Sequence, residues 1–461
     1  MTRGADPAAL GADVACALAR RLERSAADDW EIYWELGHER ALERREGKLD
    51  AIETARASGG VALRVLCGGK LGFAVTSDAT PAGLDALALA AVDAARLGDR
   101  DPLRGFATPA EVGALPAVPA ADRALARASE AERAAWAATA EAAARRTGGK
   151  RVRVNRTGVS DAETWTHLRT RAGVALASHQ TIISTDVQLV AEGGRDAQVG
   201  YAWGFSFDAA GLDPARVGRR AAERATLLLG AGSVRTGRHD VILDAEVVAG
   251  LVEALAPALT AEAVRKGKSL VGRLGERVGA EAVTLADDAT CLRGTGVRAF
   301  DGEGVASRRI SLVERGVVRG LLYDRREAQL AREGGAAWAR STGSCERSGP
   351  RSLPALAAGA LVLQAGQSSR PALERSLWSG IVVTELLGLH TIDPARGQFS
   401  LGASGFRLVW GERAGGVAGF AIAGDFRSLL GAVREVGADL VYHGSVGAPS
   451  LLVEGVEVAG R

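Results

Sequence analysis

The chain is poor in cysteine, in histidine and in net charge, and it has no long apolar run. Its four cysteines, Cys16, Cys67, Cys291 and Cys345, lie far apart and form no C-x-x-C pair. That spacing excludes a disulfide framework and a cysteine-based zinc site, and it fits a reduced, cytoplasmic setting. The six histidines, at 38, 167, 179, 239, 390 and 443, are never three, four or five residues apart. No helix can therefore offer two imidazoles to a metal from one face. A formal net charge of +2 with no basic run excludes nucleic-acid binding by bulk charge. Helical stretches such as Leu84 to Leu97 are interrupted by Asp85 and Asp93, and Met1 to Asp6 carries no apolar signal core. Neither export nor a membrane span is expected.

What is present is an ordinary globular composition, 47% hydrophobic and 24% charged, over 461 residues. At roughly 150 residues per domain this length predicts about three domains. The 59 glycines show no period of three and imply tight turns between strands. An amphipathic helix over Ala8–Arg24 leads to alternating strands at Trp30–Leu36, Leu49–Ala57, Gly60–Leu66 and Lys70–Thr76, the last two joined at Cys67-Gly68-Gly69. A helix over Leu84–Leu97, started by Thr80-Pro81, closes a first α+β domain at 1–105. Prolines and small residues mark 106–122 as a linker. The middle domain, 123–232, opens on a capping box at Ser129 and Glu132 heading a helix to Arg146. Strands at Arg151–Val159, Trp165–Thr170 and Thr181–Ala191 follow, and a helix over Pro214–Leu229 completes it. From 233 to 461, short apolar strands separated by glycine, with one helix at Ala245–Ala263, predict a large β-rich third domain. The fold class is α+β.

Few motifs carry chemistry. Arg265-Lys266-Gly267-Lys268-Ser269 imitates the end of a phosphate-binding loop, but Glu262 stands where that loop needs glycine, and an exposed basic turn is the better reading. There is no G-x-S-x-G elbow; Gly402-Ala403-Ser404-Gly405 and His443-Gly444-Ser445 read as glycine turns containing serine. Asp287-Asp288 and the pair Asp301 and Glu303 could bind a cation or act as acid and base, although glycine turns attract carboxylates for local hydrogen bonding alone.

A family resemblance emerges from several segments in order. They are Phe300-Asp301-Gly302-Glu303-Gly304-Val305, Ile381-Val382-Val383-Thr384-Glu385-Leu386-Leu387-Gly388, Gly397 to Phe406 and Ile422-Ala423-Gly424-Asp425. With Gly60-Val61-Ala62-Leu63-Arg64-Val65 and Gly69-Lys70-Leu71-Gly72-Phe73-Ala74, they resemble the TldD/PmbA family (peptidase U62 type) over about Glu31 to Gly460. The resemblance implies that family's three-domain architecture. Its TldD branch carries H-E-x-x-x-H on a helix opening the third domain; the two histidines and a C-terminal cysteine hold zinc, and the glutamate activates water. In this chain the matching positions hold Val252, Glu253 and Pro257, and Gly437 to Pro449 lacks cysteine. The chain therefore looks like the TldE (PmbA) branch, without the zinc motif. His390 to Arg396 and Ser341 to Arg351 depart from the family pattern.

The resemblance implies a cytoplasmic, non-catalytic subunit of a TldD/TldE metallopeptidase complex acting on short or unfolded peptides. No metal, cofactor or catalytic residue is expected in this chain, with zinc supplied by a TldD-type partner, so activity alone is not expected. Two alternatives remain. One is a partnerless homodimeric peptide-binding or scaffold protein. The other is an enzyme with a relocated site in which His390 or His443 meets Asp393, Asp425 or Asp439. The family's old label as a gyrase modulator points to DNA, which the near-neutral charge argues against.

Overall fold

The computed structural model describes residues 6–460, apart from the side chains of 52–57, so Met1 to Ala5 of the opening segment lies outside it. The N-terminal half is built on one six-stranded antiparallel sheet. Its strands are β1 (Asp29–Arg45), β2 (Lys48–Cys67), β3 (Lys70–Thr76), β4 (Val152–Thr170), β5 (Ala175–Gly193) and β6 (Asp196–Ser206), in the order β3-β2-β1-β4-β5-β6. The stretch 106–122 therefore joins two segments of one sheet. β1 pairs with β4 from Glu31 opposite Thr170 to Arg45 opposite Arg156 without a break in register.

Four helices cover this sheet in two pairs. Pro7–Leu22 and Pro81–Leu97 bury Val14, Leu18, Leu22, Leu84, Leu87 and Ala91 against Trp30, Ile32, Trp34, Leu63 and Val65. Glu130–Gly148 and Pro214–Leu227 bury Ala140, Ala144, Ala221 and Ala225 against Val152, Val154, Val187 and Leu189. The alanine-rich sequence reflects close approach. At Gly218 a Cβ would lie 1.9 Å from the Ala140 carbonyl, and at Gly72 1.9 Å from that of Ala91. The Ser129/Glu132 capping box forms as expected.

Two pairs of expected strands are single strands. Leu49–Ala57 and Gly60–Leu66 run together as β2, and Arg151–Val159 and Trp165–Thr170 as β4. The polar residues that interrupt the apolar pattern are accommodated inside the sheet. Asp161, 1% exposed, is held by Arg40 at 2.9 Å and Arg133 at 2.5 Å. β6 has no counterpart in the sequence reading, because Gly200 and Gly204 together with exposed Val199 and Tyr201 obscure its alternation.

The C-terminal half holds two further six-stranded sheets. One runs Glu412–Asp425, Gln398–Val409, Gly380–Leu387, Gly237–Leu243, Leu451–Ala459, Val433–Val436. The other runs Val317–Val318, Arg309–Glu314, Leu285–Asp288, Leu361–Leu363, Val446–Ala448, Val441–His443. The helix Ala245–Leu255 contacts strands of both and places Val247, Val248, Leu251, Val252 and Leu255 in their shared core. The expected single helix Ala245–Ala263 breaks here. A 3-10 turn, Ala256–Leu259, follows at Pro257, which has no N–H to continue the ladder, and a short helix Ala261–Arg265 restarts from Thr260. No helix among the described residues is long and apolar enough to cross a membrane.

Candidate functional site

Val252 and Glu253 lie on the last turn of the helix Ala245–Leu255, and Pro257 in the 3-10 turn that follows it. Val252 is 4% exposed and faces the core, whereas Glu253 and Pro257 lie on the exposed side. Val252 and Pro257 have no donor atom for a metal. Besides Glu253 itself, groups with donors sit one to two turns earlier and on a strand packed against this helix. Glu246 is bound by Arg220 at 2.9 Å and by Arg224, and it lies 3.9 Å from His443 on Val441–His443. Burial would raise the Glu246 carboxyl, but Arg224 and Arg220 outweigh it and hold the carboxyl below its ordinary range. Burial lowers His443, with Glu246 opposing. Its Nε2 accepts a hydrogen bond from Trp203 Nε1 at 3.3 Å, and both rings border a 210 Å³ cavity with Phe205, Arg293 and Tyr442. His443, Glu246 and Glu253 do not bring three ligand atoms within 4.8 Å of one another, and Glu246 is already claimed by two guanidinium groups, which falls short of the three protein ligands a catalytic zinc needs. The residues present do not fit the zinc of the TldD branch.

The other expected candidates are dispersed. His390 sits exposed on the 3-10 turn Leu389–Thr391. Asp393 accepts the Ala395 amide, Asp425 caps Phe426–Gly431 through the Ser428 amide, and Asp439 accepts the amide and hydroxyl of Ser450. None of these aspartates is a direct partner of His443, whose carboxylate neighbour is Glu246. The basic turn is neutralised locally: Lys266 pairs with Glu262 at 2.5 Å and Arg265 with Glu327 at 2.7 Å.

The two glycine-turn carboxylate motifs serve the fold. Asp287 accepts the Ala360 amide and the Ser344 hydroxyl. Asp301, Glu303 and Cys345 offer the one group of three metal-capable side chains within 4.8 Å among the described residues. Their bonds are directed at the chain itself. Asp301 accepts the amides of Glu303, Val305 and Cys345, and Glu303 accepts that of Arg325. Burial pushes all three groups up, Glu303 and Cys345 further by the neighbouring carboxylates.

Beside this turn lies a buried ion network that the sequence reading did not isolate. Glu31 on β1, 1% exposed, is gripped by Arg64 of β2 at 2.8 and 2.5 Å and by Arg347 from the C-terminal half. Arg347 also donates to the Gly302 carbonyl at 2.8 Å and stacks over the Tyr33 ring at 4.6 Å. Only Arg64, inside the family hairpin, carried a signal in the sequence.

Comparison with known proteins agrees with this architecture. Family models match in sequence order: PmbA/TldA metallopeptidase domain 1 over residues 30–95, the central domain over 120–229 and the C-terminal domain over 236–460. A protein of Methanothermobacter thermautotrophicus named a metalloprotease is 30% identical over 413 residues, 86% of this chain and 85% of that protein. Metalloprotease PmbA of Escherichia coli O157:H7 is 25% identical over 433 residues, 90% of this chain and 89% of its own. Among solved structures, a Thermotoga maritima protein described as a candidate modulator of a DNA gyrase superposes with TM-score 0.86 at 26% identity, covering 97% of this chain and 100% of that one. TldE from Thermococcus kodakarensis superposes with TM-score 0.86 at 22% identity over 97% of this chain and 100% of that chain, a likeness of fold. Three domain models in order and a full-length relative at this identity place the chain in the PmbA/TldD metallopeptidase family.

Proposed function

We propose that this chain is the non-catalytic, TldE/PmbA-type subunit of a TldD/TldE-type metallopeptidase complex that hydrolyses short or unfolded peptides, and that a TldD-type partner supplies zinc and the water-activating carboxylate. The observation that carries the reading is the donor set at the end of Ala245–Leu255 and in the 3-10 turn after it, where a core valine and an exposed proline stand at the two histidine positions. The fold shared with a TldE and the PmbA relatives supports it. An interface well above about 1,000 Å² is needed for such a complex. The exposed Trp338, Trp378, Leu387 and Trp410 of the C-terminal half are apolar groups that a partner would cover.

The test is co-expression with a family member bearing H-E-x-x-x-H, purification through a tag on this chain alone, and assay of zinc and peptidase activity. Co-purification of a zinc-loaded partner, with activity that requires both chains, is expected, and Trp410→Asp should weaken the complex. About one zinc per chain in the isolated protein, or full activity of the partner alone, overturns the reading. A stable homodimer that ignores the partner would favour the peptide-binding scaffold instead.

A further inference from the structure

The stretch after the first domain forms one wall of a cavity unrelated to the family's metal helix. The short helix Pro109–Val112 and the following Gly113 and Ala114 close over the segment Val305–Arg308, and the Val112 carbonyl accepts the Ala306 amide. The helix Arg325–Glu333 and residues Arg340 and Ser341 complete a space of 440 Å³. Four arginines line it: Arg308, Arg325, Arg332 and Arg340. The single carboxylate on its wall, Glu111, is taken by Arg325 at 2.9 Å.

Among the described residues, Arg308, Arg332 and Arg340 make no ion pair, in a chain whose arginines mostly find one. Arg308 donates to the Ser341 carbonyl, and Arg332 donates to the Ala339 carbonyl at 2.7 Å and to Gln329 at 2.6 Å. Burial first, and then repulsion from neighbouring Arg340, lowers the affinity of Arg308 for a proton, with Asp301 opposing. Like charges gathered round a cavity draw an anion into it, most strongly beside half-buried Arg308, where water screens least.

A second observation points the same way. Ser307, 4% exposed, lines the cavity with a hydroxyl that has no hydrogen-bond partner, and the Arg325 guanidinium keeps one NH group equally unmatched. Buried donors are paired in the great majority of folded structures, so two orphans beside three unneutralised cations mark an acceptor still to come. A carboxylate would cancel one charge of the three. A phosphoryl group carries close to two charges near neutral pH and three acceptor oxygens, and planar guanidinium forks match it in pairs.

We propose that this cavity is a binding site for a phosphoryl-bearing small molecule, held by Arg308, Arg332 and Arg340 with the Ser307 hydroxyl and Arg325 at its base. The space exceeds what a lone phosphate fills, which favours a phosphomonoester over the free ion. The site stands independently of the peptidase reading, since none of its residues belongs to the helix Ala245–Leu255.

The experiment is calorimetric titration of the full chain at low ionic strength with inorganic phosphate, glycerol 2-phosphate and acetate. Saturable binding of both phosphates at about 1 mM or tighter is expected, with the ester ahead and acetate at least tenfold weaker. Arg340→Gln and Arg332→Gln, both at exposed positions where folding is not at stake, should each weaken phosphate at least fivefold, and Ser307→Ala about threefold. Free phosphate binding more tightly than the ester would assign the site to the ion itself and overturn the ester preference. No saturable phosphate binding, acetate binding as tightly as phosphate, or wild-type affinity in both arginine variants overturns the proposal.

Discussion

Replacing Glu31 by glutamine tests the coupling between the two halves of the chain. The carboxylate is 1% exposed, and the side chains of Arg64 and Arg347 that grip it are 8% and 2% exposed. Glutamine keeps the volume and one acceptor oxygen, yet leaves two buried guanidinium groups facing each other without a charge between them. Removing one partner of a buried ion pair costs about 3–5 kcal/mol, and this triad should fall in that range. In Glu31→Gln/Arg347→Met one of the two unpaired buried charges is gone and Arg64 alone remains, so the double variant should lose at least about 1 kcal/mol less than the sum of the single ones. Urea unfolding followed by tryptophan emission is well placed to read this, because Trp30 and Trp34 are buried on the same strand, 3% and 1% exposed. Burial would raise the Glu31 carboxyl, but Arg64 and Arg347 overcome it and hold the carboxyl below its ordinary range. A lowered carboxyl stabilises the fold above its unfolded-chain value and loses that contribution as pH falls through the folded one. The wild type should therefore destabilise below about pH 4.5 more steeply than Glu31→Gln. A single-variant loss under about 1 kcal/mol, or strict additivity in the double, would refute the picture of a clamped ion triad.

Three further outcomes follow from other parts of the chain. Asp324 caps Arg325–Glu333 through the Glu327 amide, and burial, with Glu303, Glu327 and Glu262 adding, pushes its carboxyl up to about 6. A raised acid stabilises below its unfolded value and loses that contribution as pH rises through about 6, so Asp324→Asn, which keeps the cap, should gain up to ~3 kcal/mol at pH 8 relative to wild type and little at pH 4. Thermal melts at the two pH values check it. Val252→His/Pro257→His should bind far less than one zinc per chain by elemental analysis, because the Val252 position is packed in the core and the nearby Glu246 is already held by Arg220 and Arg224. Glu253→Ala should leave the activity of an assembled complex within about twofold, and a loss beyond about a hundredfold with assembly intact would assign Glu253 general-base work.

How much of this was legible in the sequence depends on where each residue finds its partner. Lys70–Thr76 is found at its expected bounds and Pro81–Leu97 close to them, because turn glycines and a Thr-Pro start act locally. The long strands β2 and β4 were cut in two, because Asp161 in the middle of β4 reads as a turn residue until Arg40 and Arg133, far away in sequence, arrive to neutralise it. The break at Pro257 is signalled in the sequence by the proline itself, but the apolar periodicity on either side masks it. Of the site, the valine and proline at the motif positions could be placed by alignment with the family pattern. Glu246, His443, the Glu31 triad and the arginine cavity could not, since each gathers residues separated by tens to hundreds of positions and no local period records such meetings.

The unbroken pairing of β1 with β4 has a consequence for how the chain must be made. β1 is complete once residue 45 is synthesised, but its second edge is covered only when residues 152–170 arrive, more than a hundred residues later. Until then the nascent chain presents an open edge that can template pairing with any other strand. Fragments cut at 105 would keep that edge open permanently and should aggregate, whereas a fragment ending near 230 closes it. The smallest N-terminal piece able to live in solution is thus two family domains long, and an evolutionary shuffling of the first domain alone would carry an aggregation hazard with it.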